Sequence, residues 1–185
     1  MMRATHNNKY ENMDIATSFS AFHASEHAVS DAIRKLKSKI INPKLILAYF
    51  SENYDEQLIQ QVLTSEFPNS QILGCSSCQG VMTDEGYNRG EGVALWAMCD
   101  YQGAFGSAIV STNQSSYDMA RQALLRAIEN SGRPGELPAL ILLHSSPGHE
   151  EEVIQGIEDE LGIPVPIIGG RAADDHVRGN WKMFT

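Results

Sequence analysis

The sequence predicts an α/β fold: two copies of one strand–helix–strand–helix–strand unit, with a mixed β-sheet and helices packed on the sheets. Three observations predict it. Residues 43–74 align without a gap with residues 138–169, an offset of 138 − 43 = 95, and ten of the 32 positions are identical. A repeat of this length marks a duplicated supersecondary unit. Within each copy a short apolar run leads into an amphipathic stretch and then a second apolar run, the order of a parallel α/β unit. Residues 93–99 (VALWAMC) and 104–111 (AFGSAIVS) are two further strand-like runs. Only the stretch from Asp100 to Gly103 separates them, which predicts a hairpin and makes the sheet mixed.

Taken in order, residues 1–13 read as a polar, mobile tail. Ile15 to Phe22 reads as a short strand. Ser25 is a candidate cap for a helix over Glu26 to Ile40, in which Val29, Ile33, Leu36 and Ile40 recur at helical spacing. Asn42-Pro43 ends it. Leu45 to Phe50 is a nearly continuous apolar run, the pattern of a strand covered on both faces. Tyr54 to Phe67 is the next helix, with Leu58, Ile59, Val62 and Leu63 inward, and Ile72-Leu73 is a very short strand ending at Gly74. Gly80 and Thr83 to Gly86 read as loop. From residue 105 the order restarts: a strand, a helix carrying Met119, Ala120, Ala123, Leu124, Ala127 and Ile128, a buried strand from Leu137 to Leu143, a helix from Glu150 to Leu161, and a short strand from Val165 to Ile168 before Gly169. The duplication thus covers about residues 15–75 and 105–170 of one domain spanning 14–185. Trp181 to Thr185 reads as the opening of a strand, so a C-terminal companion domain is expected to follow.

Composition narrows the function. The chain has 185 residues, 42% of them hydrophobic, enough for one core or two small units sharing one. A net charge of −9 with no clustered basic patch argues against nucleic acid. No run of 18 apolar residues exists, so membrane insertion is not expected, and no signal core stands at the N-terminus. Three cysteines do not form a disulfide framework, and a reducing cytoplasmic setting is the expectation.

Both copies end in an apolar strand running into glycine, at Gly74-Cys75 and at Gly169-Gly170. Ligands of α/β sheets sit beyond the carboxyl ends of strands, where exposed N–H groups hold anions. The candidate ligand-binding residues are therefore Gly74, Cys75, Ser76 and Ser77 at the first corner, and Gly169, Gly170, Arg171 and Asp174 at the second. His144 and Ser146, at the end of the buried strand of the second copy, join them. Arg171 suits a carboxylate and Asp174-Asp175 an ammonium, so a zwitterion such as an amino acid fits; the plain alternative is an ion pair of Arg171 with those acids. The C-x-x-C pair Cys75 and Cys78 invites redox chemistry, but no amphipathic helix follows it, so small pocket-wall residues are the simpler reading. His23 and His27 are four apart, yet nothing brings them to the cysteines as a zinc site. Ser76 lacks the glycine of an esterase elbow, and no acid is placed to orient His144 in a triad. No cofactor is called for.

At these corners the chain resembles the N-terminal part of the FIST domain. The resemblance is carried by the helix at Glu26 to Ile40, by Leu45 to Phe50 with its following helix, by Ile72-Leu73-Gly74-Cys75-Ser76, by Gly80 and residues 90–97, and by Pro166 to Asp174. It covers about residues 15–185. It implies a non-enzymatic sensory module that binds a small ligand such as an amino acid and signals through a companion or output domain. Cys78-Gln79 departs from the small residue more usual before the glycine, which bears on the floor of the pocket. The alternatives from other classes are a thiol-dependent or hydrolytic enzyme, with Cys75 as nucleophile, and a ligand-free protein-interaction module.

Overall fold

The computed structural model describes residues 13–185, so most of the expected tail, residues 1–12, lies outside the described residues. The first unit supplies four strands of a five-stranded sheet. Strand β1 (Met13–Ser20) leads to helix α1 (Ser25–Lys37), strand β2 (Leu45–Phe50), helix α2 (Glu56–Glu66) and strand β3 (Gln71–Ser76). A hairpin of β4 (Gly80–Thr83) and β5 (Gly86–Arg89) follows, where a loop was expected, and then strand β6 (Val93–Asp100). The second unit holds helix α3 (Ser116–Asn130), strand β7 (Ile141–Ser145), helix α4 (Glu150–Leu161), strand β8 (Ile167–Arg171) and the two-residue β9 (Met183–Phe184). The large sheet runs in the order β1-β6-β2-β3-β9, and β7 and β8 form a separate parallel pair.

Strand β6 is the centre of the first unit. It pairs antiparallel with all of β1 on one edge (Ser20 with Val93) and with β2 on the other (Phe50 with Val93). Its inward residues Val93, Leu95, Ala97 and Cys99 meet Ile46, Ala48 and Phe50 of β2, and α1 lays Val29, Ala32, Ile33 and Leu36 over them. Ile59 and Leu63 of α2 are fully buried in the same core. The helix ends are fixed locally. Asp55 caps α2 by accepting the N–H groups of Gln57 and Leu58, whereas α1 is capped at Ala24 and not at Ser25. The Ser25 hydroxyl instead accepts the Asp55 N–H at 3.0 Å, tying the two helix starts together.

The duplication survives in three dimensions. Strand β2 pairs with β3 at Leu45 and Gln71, and β7 with β8 at Ile141 and Ile167, so both parallel pairs carry the same separation, 71 − 45 = 167 − 141 = 26. Beyond the strand ends, the Ser77 N–H donates to the Phe50 carbonyl at 2.8 Å. Ninety-five residues later the Ala172 N–H donates to the Ser145 carbonyl at 2.9 Å. Ser38 and Ser131 end α1 and α3 in the same way, each hydroxyl donating to the carbonyl three residues back.

Three further expectations change. Residues 104–111 do not form a strand or a hairpin with β6. Both edges of β6 are taken by β1 and β2, so the apolar run lies against α3 instead, with Gly106 so close that a Cβ would stand 1.8 Å from the Ala127 carbonyl oxygen. Strand β3 does not stop at Gly74 but continues to Ser76. Gly74 is required there because the buried Phe184 ring, stacked on Phe50 at 5.7 Å, fills the space a Cβ would need. Strand β8 likewise runs through Gly169 to Arg171.

Candidate functional site

The two parallel pairs meet at their carboxyl ends, and Ser76 is the joint. Its hydroxyl donates to the Ala173 carbonyl at 2.8 Å and accepts the Lys182 N–H at 2.9 Å, while its own carbonyl accepts the Ala173 N–H at 3.1 Å. Ser76 is buried as a result. Asp175 extends the seam: its carboxylate accepts the Gln79 N–H at 2.6 Å, and its N–H donates to the Glu52 carboxylate at 3.1 Å.

One strand turn back, Tyr49 of β2 and His144 of β7 touch. They are repeat counterparts, since 49 + 95 = 144. The phenol oxygen lies 3.1 Å from His144 Nε2 and the rings cross edge-to-face at 5.4 Å. Burial pushes the His144 pKa below its ordinary value, which keeps the ring neutral near pH 7, and burial followed by the neighbouring Cys75 raises that of Tyr49. When the phenol donates to Nε2, the ring proton sits on Nδ1. That Nδ1 is buried and has no hydrogen-bond partner in the protein. Buried polar atoms are paired in the large majority of cases, so an orphan one at a strand end marks a place for a further group.

The remaining predicted residues divide between the seam and its rim. Ser77 is half-buried and donates to the Gly80 carbonyl at 2.9 Å. Asp174 is buried, and its carboxylate accepts the N–H groups of Arg178 and Asn180 at 2.9 and 2.6 Å. Burial alone would raise the Asp174 pKa; the backbone donors of Asn180 and Arg178 outweigh it and hold the group below its ordinary value. Arg171 does not pair with Asp174 or Asp175. It reaches Glu150 at the start of α4, at 3.3 Å, and stays largely exposed. Gly170 precedes it, with open space where a Cβ would stand, and Ser146 follows Ser145, the residue opposite Arg171 on β7. Tyr49 and Glu52 are members of this seam that sequence reasoning missed. The 95-residue offset was the available signal for Tyr49, because it aligns that residue with His144.

Thiol chemistry has poor footing here. Cys75 is buried, and burial pushes its pKa up to about 11, so the nucleophilic thiolate is scarce at neutral pH. Cys78 is exposed, but residual burial and the Asp175 carboxylate raise it too. A thiol titration of the native protein should therefore find one slow-reacting cysteine, Cys78, and release Cys75 and Cys99 only on unfolding. Rapid modification of Cys75 at pH 7 would contradict this. His23 lies near Glu91 at 3.9 Å, and among the described residues no group of three or more His, Cys, Asp or Glu is arranged to hold a metal ion.

Comparison with known proteins agrees with the motifs at the seam. No curated protein matches the chain. One solved structure, described as "Cyanuric acid hydrolase: evolutionary innovation by structural concatenation", aligns with a TM-score of 0.39 and 8% identity over 83% of this chain and 50% of that one. The chain thus spans about half the length of that structure, and a likeness at this level carries no argument. The FIST N domain profile matches residues 44–185, which include both strand pairs and the whole seam. The chain belongs to the FIST N domain family.

Proposed function

We propose that this chain is a cytoplasmic, non-enzymatic sensory domain that binds an amino acid or another small carboxylate at the seam, and that a C-terminal companion domain carries the signal onward. The observation that supports this best is the Tyr49–His144 contact between the two units, with its buried, unpartnered Nδ1. Arg171 adds a guanidinium whose one partner in the described structure is the half-exposed Glu150, so an incoming carboxylate has a bidentate site to compete for. Ser76 and Ala173 hold the two units together directly, so a ligand that prefers one setting of that joint shifts the balance between settings. No helix of the described residues is long and apolar enough to cross a membrane.

The test is calorimetric titration with a panel of amino acids and small carboxylates, repeated on Arg171→Ala. A charged hydrogen-bonded pair contributes about 1.5–3 kcal/mol, so the variant is expected to bind roughly ten-fold or more weakly. Unchanged affinity removes Arg171 from the site. Absence of binding by every member of the panel removes the small-carboxylate reading and leaves the interaction-module alternative.

A further inference from the structure

The second unit has the neighbours of a central strand without the strand. In the first unit β6 lies between β1 and β2, bonded along eight residues of one and six of the other. In the second unit β7 is the counterpart of β2. Residues 104–111 take the place of β1: they lie on α3 through Gly106, and the Asn130 amide donates to the Ser107 carbonyl at 2.8 Å, much as Lys39 at the end of α1 donates to the Thr17 carbonyl of β1 at 3.0 Å. Ile141 and Leu143 of β7 pack into the same apolar cluster as Leu124 and Ile128 of α3, so one helix borders both flanks. Among the described residues, 104–111 make no backbone–backbone hydrogen bond, the Ser107 N–H donating instead to the Gln71 side chain at 3.0 Å, and β7 pairs with β8 alone.

Equivalent side chains of the two units also differ in burial. Ile59 of α2 is 0% exposed and its counterpart Ile154 of α4 is 37% exposed. Ile46 is fully buried and its counterpart Ile141 half-buried. Ile109 and Leu140, on the two flanks, are exposed. A sheet edge with unpaired donors and acceptors beside uncovered apolar side chains is the template for strand addition.

We propose that the slot between residues 104–111 and β7 receives one antiparallel strand of about eight residues, apolar toward α3, from the proposed companion domain. The source rests on the companion-domain reading above. Chain order supports it: β6 follows β3 in the first unit, so its counterpart follows β8, and the one strand formed by residues 172–185 is β9, which is spent on β3. The inserted strand also reaches the candidate site. Tyr49 stands opposite Ala94 of β6, so the equivalent residue of the new strand stands opposite His144. Docking of the companion and orientation of the seam histidine are then one event on β7, which gives the sensor a direct link to its output.

The experiment is amide hydrogen exchange on the chain of residues 1–185, with and without a peptide copying Gly92–Asp100 with the change C99S, and with a scrambled peptide as control. In the free chain the amides of 104–111, apart from that of Ser107, which donates to Gln71, are expected to exchange far faster than those of β1. The β6 peptide should slow them, and the amides of β7, by roughly ten-fold or more, and the scrambled peptide should not. Amides that stay fast with the β6 peptide overturn the slot. Amides already slow in the free chain overturn its vacancy, and if the chain then elutes as a dimer, a second copy is the occupant instead of the companion. Ligand affinity at Arg171 is read separately, so failure of the strand proposal and failure of the ligand reading are told apart.

Discussion

Ile59→Ala is expected to destabilise the protein by about 2–5 kcal/mol, the range for a buried large-to-small change, while Ile154→Ala, the same substitution at the repeat counterpart, should cost well under about 1 kcal/mol. The sequence surroundings are alike: both isoleucines precede glutamine in the second helix of their unit, at an offset of 95. What differs is the cover. Ile59 is completely buried in the core that β6 completes, and truncation there leaves a cavity closed on all sides. Ile154 keeps 37% of its surface, so solvent already occupies part of the space the methyl groups would vacate. Urea denaturation read by the midpoint, with the slope unchanged, gives the comparison. Equal costs would mean that the second core is as complete as the first, and would sink the inference of an open slot along with it.

That pair of residues also shows what was legible in the sequence and what was not. Local pattern carried the helices, the buried strands β2 and β6, and the duplication, because side-chain period and repeat spacing are written along the chain. The 26-residue register of both parallel pairs follows from it. Pattern could not say that residues 104–111 lack a neighbour, since an apolar run reads the same whether or not its edge is paired. Nor could it show that Gly74 lies in mid-strand: the reason is Phe184, 110 positions away, whose ring occupies the missing Cβ space. The glycine was visible and the cause was not. At the candidate site, Ser76 and His144 were readable as strand-end residues. The partner of Arg171 was not, because Glu150 comes to it from the start of α4. Long-range contacts of this kind depend on how the units dock, which no short window of sequence encodes.

Gly169→Ala should open the β7–β8 pair and do more harm than Gly74→Ala. At Gly169 φ is +142°, a conformation that costs a non-glycine residue about 1–3 kcal/mol, and a Cβ would stand 1.9 Å from the Leu143 carbonyl oxygen on the facing strand. That obstacle is backbone held in the β7–β8 ladder, and relieving it moves the strand; overpacking adds a further cost of about 1–3 kcal/mol. At Gly74 the backbone is ordinary and the obstacle is the Phe184 ring, at 2.2 Å, which can yield by turning away from Phe50. Only the overpacking cost applies there. Amide exchange should therefore report fast β7 and β8 in Gly169→Ala, with β1, β2 and β6 still protected, because β7–β8 is a separate sheet. Binding of the proposed ligand should be lost with them, since the candidate residues His144 and Arg171 lie on those two strands. Protected β7 and β8 in Gly169→Ala would show that the strand pair tolerates the displacement, and a binding defect without loss of protection would place the role of Gly169 in the ligand contact itself.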